Sequence, residues 1–402
     1  MRRIALAAAA VLVIPSGITG VTVASAVPTG VPGAGRAGPA VAGAQPLTWS
    51  VVPSPSPGAS YNDLGGVSCV SAADCTAAGY SSNGVVAKTL IEAWNGTSWS
   101  VVPSPNRGTS ISALNDVSCG SAADCTAVGY YANSTPSGSG PVNTLIESWN
   151  GTSWSVVPSP SGAGDLLEDV TCVSAANCTA VGSKVSGNTQ KTLIESWNGT
   201  SWSVMPSPNR AGGNVLGGVT CASEASCMAV GSYRRSSVSP SKTLIESWNG
   251  TSWSVVFSPN RGTHDNGLGG VACASAANCT AVGFRGGRHQ RTLVESWNGT
   301  GWSVVPSPNR GFTSSGLGGV SCVSAANCTA VGLSNNHGTD KTLIESWNGT
   351  SWSVVLSPNR GADISDFGAV SCASAAGCMA AGAYISSGPN TKTLIESGTA
   401  SG

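Results

Sequence analysis

Short runs of alternating apolar and polar residues follow one another from residue 47 to the end of the chain. Runs such as Trp-Ser-Val-Val and Thr-Leu-Ile-Glu-Ser-Trp are separated by clusters of Gly, Pro, Asn and Ser. Alternation with a period of two predicts β-strands that bury one face, and the separating residues favour tight turns. Only 9% of the residues are charged and 53 are glycine, which also disfavours helices. The pattern therefore predicts an all-β fold.

Two phrases, close to TLIESWNGTSWSVVPSP and VSCVSAANCTAVG, alternate at intervals of roughly 50 residues. Each unit divides into four short strands: a (the GGVSC-like run), b (CTAVG), c (TLIESW) and d (WSVVPSP). Strands c and d are joined through Asn-Gly, a strong hairpin signal. Four antiparallel strands in a repeat of this length are typical of one blade of a β-propeller.

The ends of the repeat region complement each other. The region begins at 47–52 with a strand d that has no a, b or c before it, and it ends at 393–397 with a strand c that has no d after it. Joining these fragments completes a seventh unit and leaves no open sheet edge. An open solenoid would instead have capping repeats. We therefore predict a seven-bladed β-propeller whose ring closes when the N-terminal strand d joins the C-terminal strands a–c.

The first residues have the pattern of a secretory signal peptide. Arg2 and Arg3 precede a short apolar run at 4–14, and Ala24-Ser25-Ala26 supplies a small-residue cleavage site. The alternative is a membrane anchor, for which the run is short. The predicted organisation is a signal peptide at 1–26, a flexible Ala/Gly/Pro linker at 27–45 and the propeller at 46–402. We expect a secreted monomer with no membrane span after cleavage.

All 14 cysteines fall into seven equally spaced pairs, one in each unit. In an exported protein, a five-residue connection between two hairpin strands favours a disulfide. Metal binding is the competing interpretation, but isolated pairs with only three histidines in the chain are poor zinc sites. The predicted disulfides are Cys69–Cys75, Cys119–Cys125, Cys172–Cys178, Cys221–Cys227, Cys273–Cys279, Cys322–Cys328 and Cys372–Cys378.

These units resemble kelch and Asp-box propeller repeats over residues 47–397. The resemblance is carried by a glycine after strand b and by a Trp pair that flanks the c–d turn. Kelch blades have a glycine doublet where this chain has one glycine. Asp-box turns have an Asp two residues before the Gly, whereas this chain has an Asn directly before it. The resemblance implies a propeller fold and no particular activity. The glycines are Gly129, Gly182, Gly231, Gly283 and Gly332.

Two repeated residue types have both structural and functional interpretations. The Trp pairs fit packing between strands and blades, and they also fit sugar-stacking platforms. One glutamate recurs in every strand c, whereas a catalytic acid occurs once or as a unique pair. We interpret it as a structural acceptor for backbone N–H groups or for a basic neighbour. These positions are Glu92, Glu147, Glu195, Glu246, Glu295, Glu345 and Glu396.

Antiparallel order places the b–c and d–a loops on one face, the loop face, and the a–b and c–d turns on the other, the turn face. The loop face holds most of the variation between units, and such loops usually carry binding residues. The charged residues in these loops have two interpretations: they are scattered charges in contact with solvent, or they form a surface that is electrostatically complementary to a partner. The candidate residues are Asp116, Glu168 and Asp169, expected just before strand a; Arg234, Arg235, Arg285, Arg288 and His289 in b–c loops; and Arg107, Arg210, Arg261, Arg310 and Arg360 after strand d.

The formal net charge of zero argues against nucleic-acid binding. His264, His289 and His337 have no accompanying nucleophile motif, so we assign no catalytic residue, metal or cofactor. Three functions remain open. The first is a secreted scaffold that binds a protein or cell-wall partner, the second is a lectin with sites between Trp-rich blades, and the third is a glycan-active hydrolase.

Overall fold

The structure is a computed structural model that describes residues 47–400, except 136–137, 161, 312, 361–363, 386–387 and 389. The predicted signal peptide and linker lie outside the described residues. In the described part of the chain, every regular secondary-structure element is a β-strand, as the alternating pattern predicts. No helix in this part of the chain is long and apolar enough to cross a membrane.

The strands are numbered in chain order. The first fifteen are β1 (Thr48–Val52), β2 (Tyr61–Ser71), β3 (Asp74–Ser82), β4 (Ala87–Trp94), β5 (Trp99–Val102), β6 (Ile111–Ser121), β7 (Asp124–Ala132), β8 (Ser134–Thr135), β9 (Gly138–Ser139), β10 (Asn143–Trp149), β11 (Trp154–Val157), β12 (Leu166–Ser174), β13 (Asn177–Ser186), β14 (Thr189–Trp197) and β15 (Trp202–Val204). The others are β16 (Gly213–Ser223), β17 (Ser226–Arg234), β18 (Lys242–Trp248), β19 (Trp253–Val256), β20 (Asn266–Ser275), β21 (Asn278–Arg285), β22 (Arg291–Trp297), β23 (Trp302–Val305), β24 (Ser314–Ser324), β25 (Asn327–Asn336), β26 (Thr339–Trp347), β27 (Trp352–Val355), β28 (Ile364–Ser374), β29 (Gly377–Ile385) and β30 (Thr391–Thr399).

Hydrogen bonding groups these strands into antiparallel sets of four, which we call units. Unit 1 is β2–β5, unit 2 is β6, β7, β10 and β11, unit 3 is β12–β15, unit 4 is β16–β19, unit 5 is β20–β23 and unit 6 is β24–β27. A single parallel bridge between Ala87 and Ile111 links the sheets of units 1 and 2, and β8 and β9 form a small hairpin in the b–c loop of unit 2.

Unit 7 is made from both ends of the repeat region. Its strand order is β28, β29, β30 and β1. β1 runs antiparallel to β30, from Thr48 opposite Thr399 to Val52 opposite Ile395. The N-terminal strand d therefore completes the unit that the C-terminal strands begin, as the complementary ends predict.

Strand a is longer than the sequence indicates. In unit 1 it begins at Tyr61, and a β-bulge lies between Leu64 and Gly66. The Leu-Gly-Gly segment, expected to precede the strand, lies inside it in units that carry it. A Cβ on Gly65 would come 2.4 Å from the carbonyl oxygen of Asn115 in unit 2, so the close approach of two backbones requires glycine there. All seven units have a bulge at this position.

The first strands of the units pack against one another in sequence. β2 contacts β6, β6 contacts β12, and the series continues through β16, β20 and β24 to β28, which in turn contacts β2. Close approaches of backbone mark these contacts, for example between Gly269 and Gly318 and between Gly368 and Gly65. The bulged segments of neighbouring units therefore lie side by side.

The core is divided into clusters that lie between consecutive units. One cluster joins Val128 and Ile146 of unit 2 to Leu167, Leu193 and Trp202 of unit 3. Another joins residues of unit 7, including Ile395, to residues of unit 1. Each fully buried aliphatic side chain stabilises such a contact by about 2 kcal/mol. Each unit is thus held by the apolar faces of its neighbours.

The seven predicted disulfides are confirmed. Each joins strand a to strand b next to their connecting turn, with Cα atoms about 4.0 Å apart. No cysteine is free. Seven intrachain disulfides are typical of extracellular proteins.

Candidate functional site

On the turn face, the repeated polar groups bond to one another. The side-chain oxygen of Asn95 accepts hydrogen bonds from the backbone N–H groups of Thr97 and Ser98 and from the Thr97 hydroxyl. The indole N–H of Trp94 donates to the carbonyl oxygen of Ala72 in the neighbouring a–b turn. The same bonds recur in units 2 to 6. Repeated residues of this face therefore serve the turns themselves.

The two tryptophans of each pair have different surroundings. Trp99 is only 5% exposed, and its ring centroid lies 5.7 Å from that of the half-buried Trp94. The equivalent pairs in units 2 to 6 have the same separation within 0.1 Å. The second tryptophan of each pair belongs to the core clusters and has no open face for a sugar. This geometry supports the packing interpretation.

The repeated glutamates are structural acceptors, but their donors are neither backbone N–H groups nor basic side chains. Ser104, just after strand d of unit 1, donates to the carboxylate of Glu147 in unit 2 and to the hydroxyl of Thr89 in its own unit. The serine residues Ser54, Ser159, Ser207, Ser258, Ser307 and Ser357 make the equivalent bond to the glutamate of the next unit. Two of the basic residues that precede the TLIE-like phrase instead reach loop carbonyls: Lys191 donates to Gly212, and Arg291 donates to Gly311. The sequence could not show this pairing, because the serine and glutamate belong to different units.

Burial raises the pKa of six of these glutamates, and their serine donors lower it by less. The pKa is about 7 for Glu92, Glu147, Glu246, Glu295, Glu345 and Glu396. One carboxyl oxygen of Glu92, Glu147, Glu246 and Glu345 is buried without a hydrogen-bond partner, which disfavours the charged form. The carboxyls therefore titrate near neutral pH although they have no catalytic neighbour in the repeat.

The expected loop positions of Asp116, Glu168 and Asp169 are wrong. Asp116 lies inside β6, and Glu168 and Asp169 lie inside β12, at the bulges of strand a. Asp116 accepts a hydrogen bond from the backbone N–H of Val170 in unit 3, and Asp169 accepts one from Val219 in unit 4. The acidic residues thus join neighbouring first strands and do not form one side of a loop rim.

These acids continue into a row with two carboxyls that the sequence did not indicate, Asp63 in β2 and Asp366 in β28. Burial, and then the neighbouring Asp169, raise the pKa of Asp116 well above its usual range and that of Glu168 to about 7. Burial and then Asp63 raise the pKa of Asp366 to about 7. Burial, Glu168 and Asp63 raise the pKa of Tyr130, which lies beside this row, to about 12.

The row can hold protons at neutral pH, because burial raises the pKa of its carboxyls. Asp116 and Asp169 are hydrogen-bonded to backbone N–H groups of the next unit. Among the described residues, no group of three or more His, Cys, Asp or Glu side chains could hold a metal ion. The arrangement therefore fits carboxyl groups with a structural role, which lie between packed strands and can be protonated there.

The arginines of the loop face have differing surroundings, and Arg234 and Arg285, expected in b–c loops, are instead the last residues of β17 and β21. Arg107 lies over the ring of Tyr131, 5.1 Å from its centroid, and Arg210 lies over the ring of Tyr233 at 5.3 Å. The half-buried residues are Arg234, Arg285 and His289, and the exposed ones are Arg235, Arg261, Arg288, Arg310 and Arg360. The loop face therefore presents cations from several units and two Arg–Tyr pairs.

Arg234 is held within the protein. Its guanidinium forms an ion pair with Asp265 at 3.2 Å, and Asp265 also accepts from the backbone N–H of Ser241. The backbone N–H of Ser241, its hydroxyl and Arg234 together lower the pKa of Asp265, although its burial acts in the opposite direction. This ion pair fixes the b–c loop of unit 4 against the segment that precedes unit 5.

A groove of about 530 Å³ opens beside this loop in unit 4. Its lining comprises Asn209, Arg210, Ala211, Tyr233, Arg235 and Val255. A second cleft, of about 200 Å³, lies on the turn face between units 5 and 6 and includes Trp347 and the disulfide of Cys322 and Cys328. The unit 4 groove is the candidate functional site because it combines an Arg–Tyr pair, Arg210 and Tyr233, with a second arginine, Arg235.

The arginines of this groove are recognisable in the sequence as candidate binding residues, whereas their tyrosine and apolar neighbours are not. Tyr233 belongs to no sequence motif. Its position under Arg210 depends on how β17 pairs with β16 and β18. One available signal was Phe257, which stands where five units have proline after strand d, and its side chain is 76% exposed. Unit 6 has Leu356 at this position, also 76% exposed, so Phe257 is the aromatic member of a position that departs from proline in two units.

No protein-family model and no curated protein matches this sequence. Solved structures do match it. A structure of YCF48 bound to D1 peptide is 12% identical, with a TM-score of 0.54 over 89% of this chain and 96% of that chain. The WD40 β-propeller domain of Doa1 is 12% identical, with a TM-score of 0.52 over 87% and 96%.

A xyloglucanase of family GH74 from Xanthomonas campestris is 13% identical, with a TM-score of 0.52 over 87% of this chain and 55% of that chain. Identities this low concern the fold alone. The kelch and Asp-box resemblance remains a prediction, since the neighbours that bear on the repeat are of the WD40 and YCF48 kinds. Together with the four-stranded units, these matches establish that the chain has a β-propeller repeat fold.

Proposed function

We propose that this protein is a secreted, monomeric, seven-bladed β-propeller that binds a protein partner through its loop face. The seven units are its blades, and the pairing of β1 with β30 supports closure of the ring. The series of contacts between first strands, which returns from β28 to β2, supports the same architecture. Residues 1–26 are the signal peptide, 27–45 the linker and 46–402 the propeller. N-terminal sequencing of the exported protein, expected to begin at Val27, tests the cleavage site.

The difference between the two faces carries the binding proposal. Repeated residues on the turn face are bonded to each other, whereas the loop face presents arginines whose surroundings differ between units, and Arg210, stacked on Tyr233, lines a groove. Arg and Tyr are enriched where proteins bind other proteins, and loops on a rigid scaffold commonly carry such residues. The YCF48 neighbour, which is bound to a peptide, supports this choice among propeller functions.

Selection from a phage-displayed random peptide library tests the proposal. The disulfide-bonded protein is the bait, and hydrogen–deuterium exchange with an enriched peptide maps the contact. Protection is expected in the b–c and d–a loops, including the segments around Arg210 and Arg235. A variant whose unit 4 b–c loop is replaced by that of unit 6 should lose binding. Protection confined to the turn face, or no enrichment at all, would overturn the proposal.

One observation favours glycan binding as a second candidate. The cleft between units 5 and 6 is lined by Ser296, Ser324 and the half-buried Trp347, a mixture of hydroxyls and an aromatic edge that suits a sugar. A glycan array probed with wild type and Trp347→Ala tests this candidate. Binding that disappears in the variant would support a lectin, and a blank array would exclude it. The hydrolase alternative stays a prediction, tested by release of sugars from the same glycans.

A further inference from the structure

We infer that the groove of unit 4 binds an acidic peptide segment that also carries an apolar side chain. The groove is formed by Arg210, Tyr233, Arg235 and Val255, and Phe257 follows Val255 by two positions in the chain. This inference rests on the proposed protein-binding function and names the chemistry of the partner. It depends on three features of the groove: a rigid frame, an uncompensated positive charge and an exposed apolar contact.

The frame is rigid because the loop that carries Arg210 is tied to its own unit. The backbone N–H of Arg210 donates to Asn214 at 2.9 Å, and the Asn214 amide returns bonds to the carbonyl oxygens of Arg210 and Gly212. Asn214 is fully buried, and the side chain of Asn209 accepts from the backbone N–H of Thr192 in unit 3. Stacking over the Tyr233 ring further restricts the guanidinium. A group held in this way loses little conformational entropy when a ligand binds.

The charge of the groove is positive. Asp265 neutralises Arg234, whereas no described residue forms an ion pair with Arg210 or Arg235. Lys242 lies opposite Tyr233 in the ladder of β17 and β18 and adds a third cation next to the groove. Arginine side chains bind carboxylates through paired, charge-assisted hydrogen bonds. The ligand chemistry that this arrangement suits best is a run of carboxylates.

The apolar contact distinguishes a peptide from an anionic polysaccharide. Phe257 follows Val255 by two positions, which in an extended chain places both side chains on the same side. Phe257 is 76% exposed, and Val238 in the adjacent b–c loop is 91% exposed. An exposed aromatic next to a cationic groove offers a site for a leucine or phenylalanine of a partner, and such anchors dominate binding energies. A sulfated or uronic polysaccharide has no side chain to use this contact.

Unit 2 supplies an internal control. Arg107 stacks on Tyr131 as Arg210 stacks on Tyr233. The residues equivalent to Arg235 and Phe257, however, are Asn133 and Pro158. Unit 2 therefore has the Arg–Tyr pair without the second arginine and without the aromatic, so it should not bind the same segment.

The test uses fluorescence anisotropy with three labelled peptides of equal length on the full disulfide-bonded protein. The first is Glu-rich with a central Phe, the second replaces the Phe by Ser, and the third replaces the Glu residues by Lys. We expect the first to bind tightest, with affinity that falls as salt rises, and the third not to bind. Arg210→Gln and Arg235→Gln should each weaken binding about tenfold. Phe257→Pro restores the residue of five other units and should also weaken it about tenfold.

Arg107→Gln is the matched control and should leave the affinity unchanged. If it weakens binding as much as Arg210→Gln does, the protein attracts acidic peptides by general charge and the assignment of the groove is wrong. Heparin, an anionic polysaccharide, is measured in the same way. If heparin binds tighter than the first peptide and Phe257→Pro leaves its affinity unchanged, the ligand class is wrong. If library peptides bind the loop face but acidic peptides do not, this inference fails while the proposed function stands. If neither binds, both fail. Circular dichroism of each variant checks that it is folded.

Discussion

Replacing one buried inter-unit glutamate by glutamine should make the protein more stable at mildly alkaline pH. Glu92 is fully buried, accepts a hydrogen bond from Ser54 through one oxygen, and has no partner for the other. Glutamine keeps the shape and cannot ionise. The perturbation therefore removes one titrating group and leaves the packing between units 7 and 1 in place.

The magnitude follows from the pKa of Glu92, which burial raises from 4.5 to about 7. Between these values the native state binds more protons than the unfolded state, so the free energy of unfolding falls as pH rises. The stability from the protonated carboxyl is complete below pH 4.5 and is lost as pH passes through about 7. The shift corresponds to about 3 kcal/mol for one group. Relative to wild type, Glu92→Gln should gain about this much between pH 4.5 and about 8.

Urea unfolding followed by tryptophan fluorescence at both pH values measures this difference. Glu224→Gln is the matched control, because Glu224 is an exposed glutamate in the a–b turn of unit 4. The free energy of unfolding of Glu224→Gln should equal that of wild type at both pH values. If Glu92→Gln and wild type lose stability in parallel as pH rises, Glu92 is ionised throughout and the reasoning from burial is refuted.

Two further predictions concern the turn face. Replacing Cys69 and Cys75 together by serine should lower the free energy of unfolding by only about 2 kcal/mol, because the disulfide closes a very short loop. A fully reduced protein should therefore still unfold cooperatively in urea. Loss of all structure on mild reduction would contradict this prediction. Asn95→Ala should lower the free energy of unfolding by about 1 kcal/mol, because three donors lose their acceptor. Asn95→Asp keeps the acceptor and should leave the free energy of unfolding nearly unchanged. Equal losses in the two variants would show that the turn does not depend on these bonds.

Much of the fold could be predicted from the sequence because each unit repeats its own local signals. The Asn95-Gly96 turn and the spacing of Cys69 and Cys75 act within one hairpin, so their positions along the chain are sufficient. The first strand was misplaced at its beginning. Gly65 and Gly66 have the pattern of a loop, and only the backbone of unit 2 beside them requires glycine inside a strand.

The candidate site was predicted in part for the same reason. Arg210 and Arg235 are recognisable as charges in variable loops, whereas the stacking of Arg210 on Tyr233 depends on how strands b and c of unit 4 pair. The partner of Glu147 is Ser104 in the preceding unit, a contact that no spacing within one repeat encodes. Interactions between units were therefore beyond the sequence, although both partners repeat visibly within it.

The pairing of β1 with β30 also has a consequence for when the protein can fold. β30 is the sole strand partner of β1, and the two are separated by almost the whole described chain. Units 1 to 6 can each form from adjacent hairpins, but unit 7 must wait until Ile395 and its neighbours have been synthesised. Contacts of such long sequence separation form slowly. Until then, β1 and one edge of β29 lack their strand partner β30, so a chain stalled or cut before β30 should expose unpaired strand edges and be prone to aggregation.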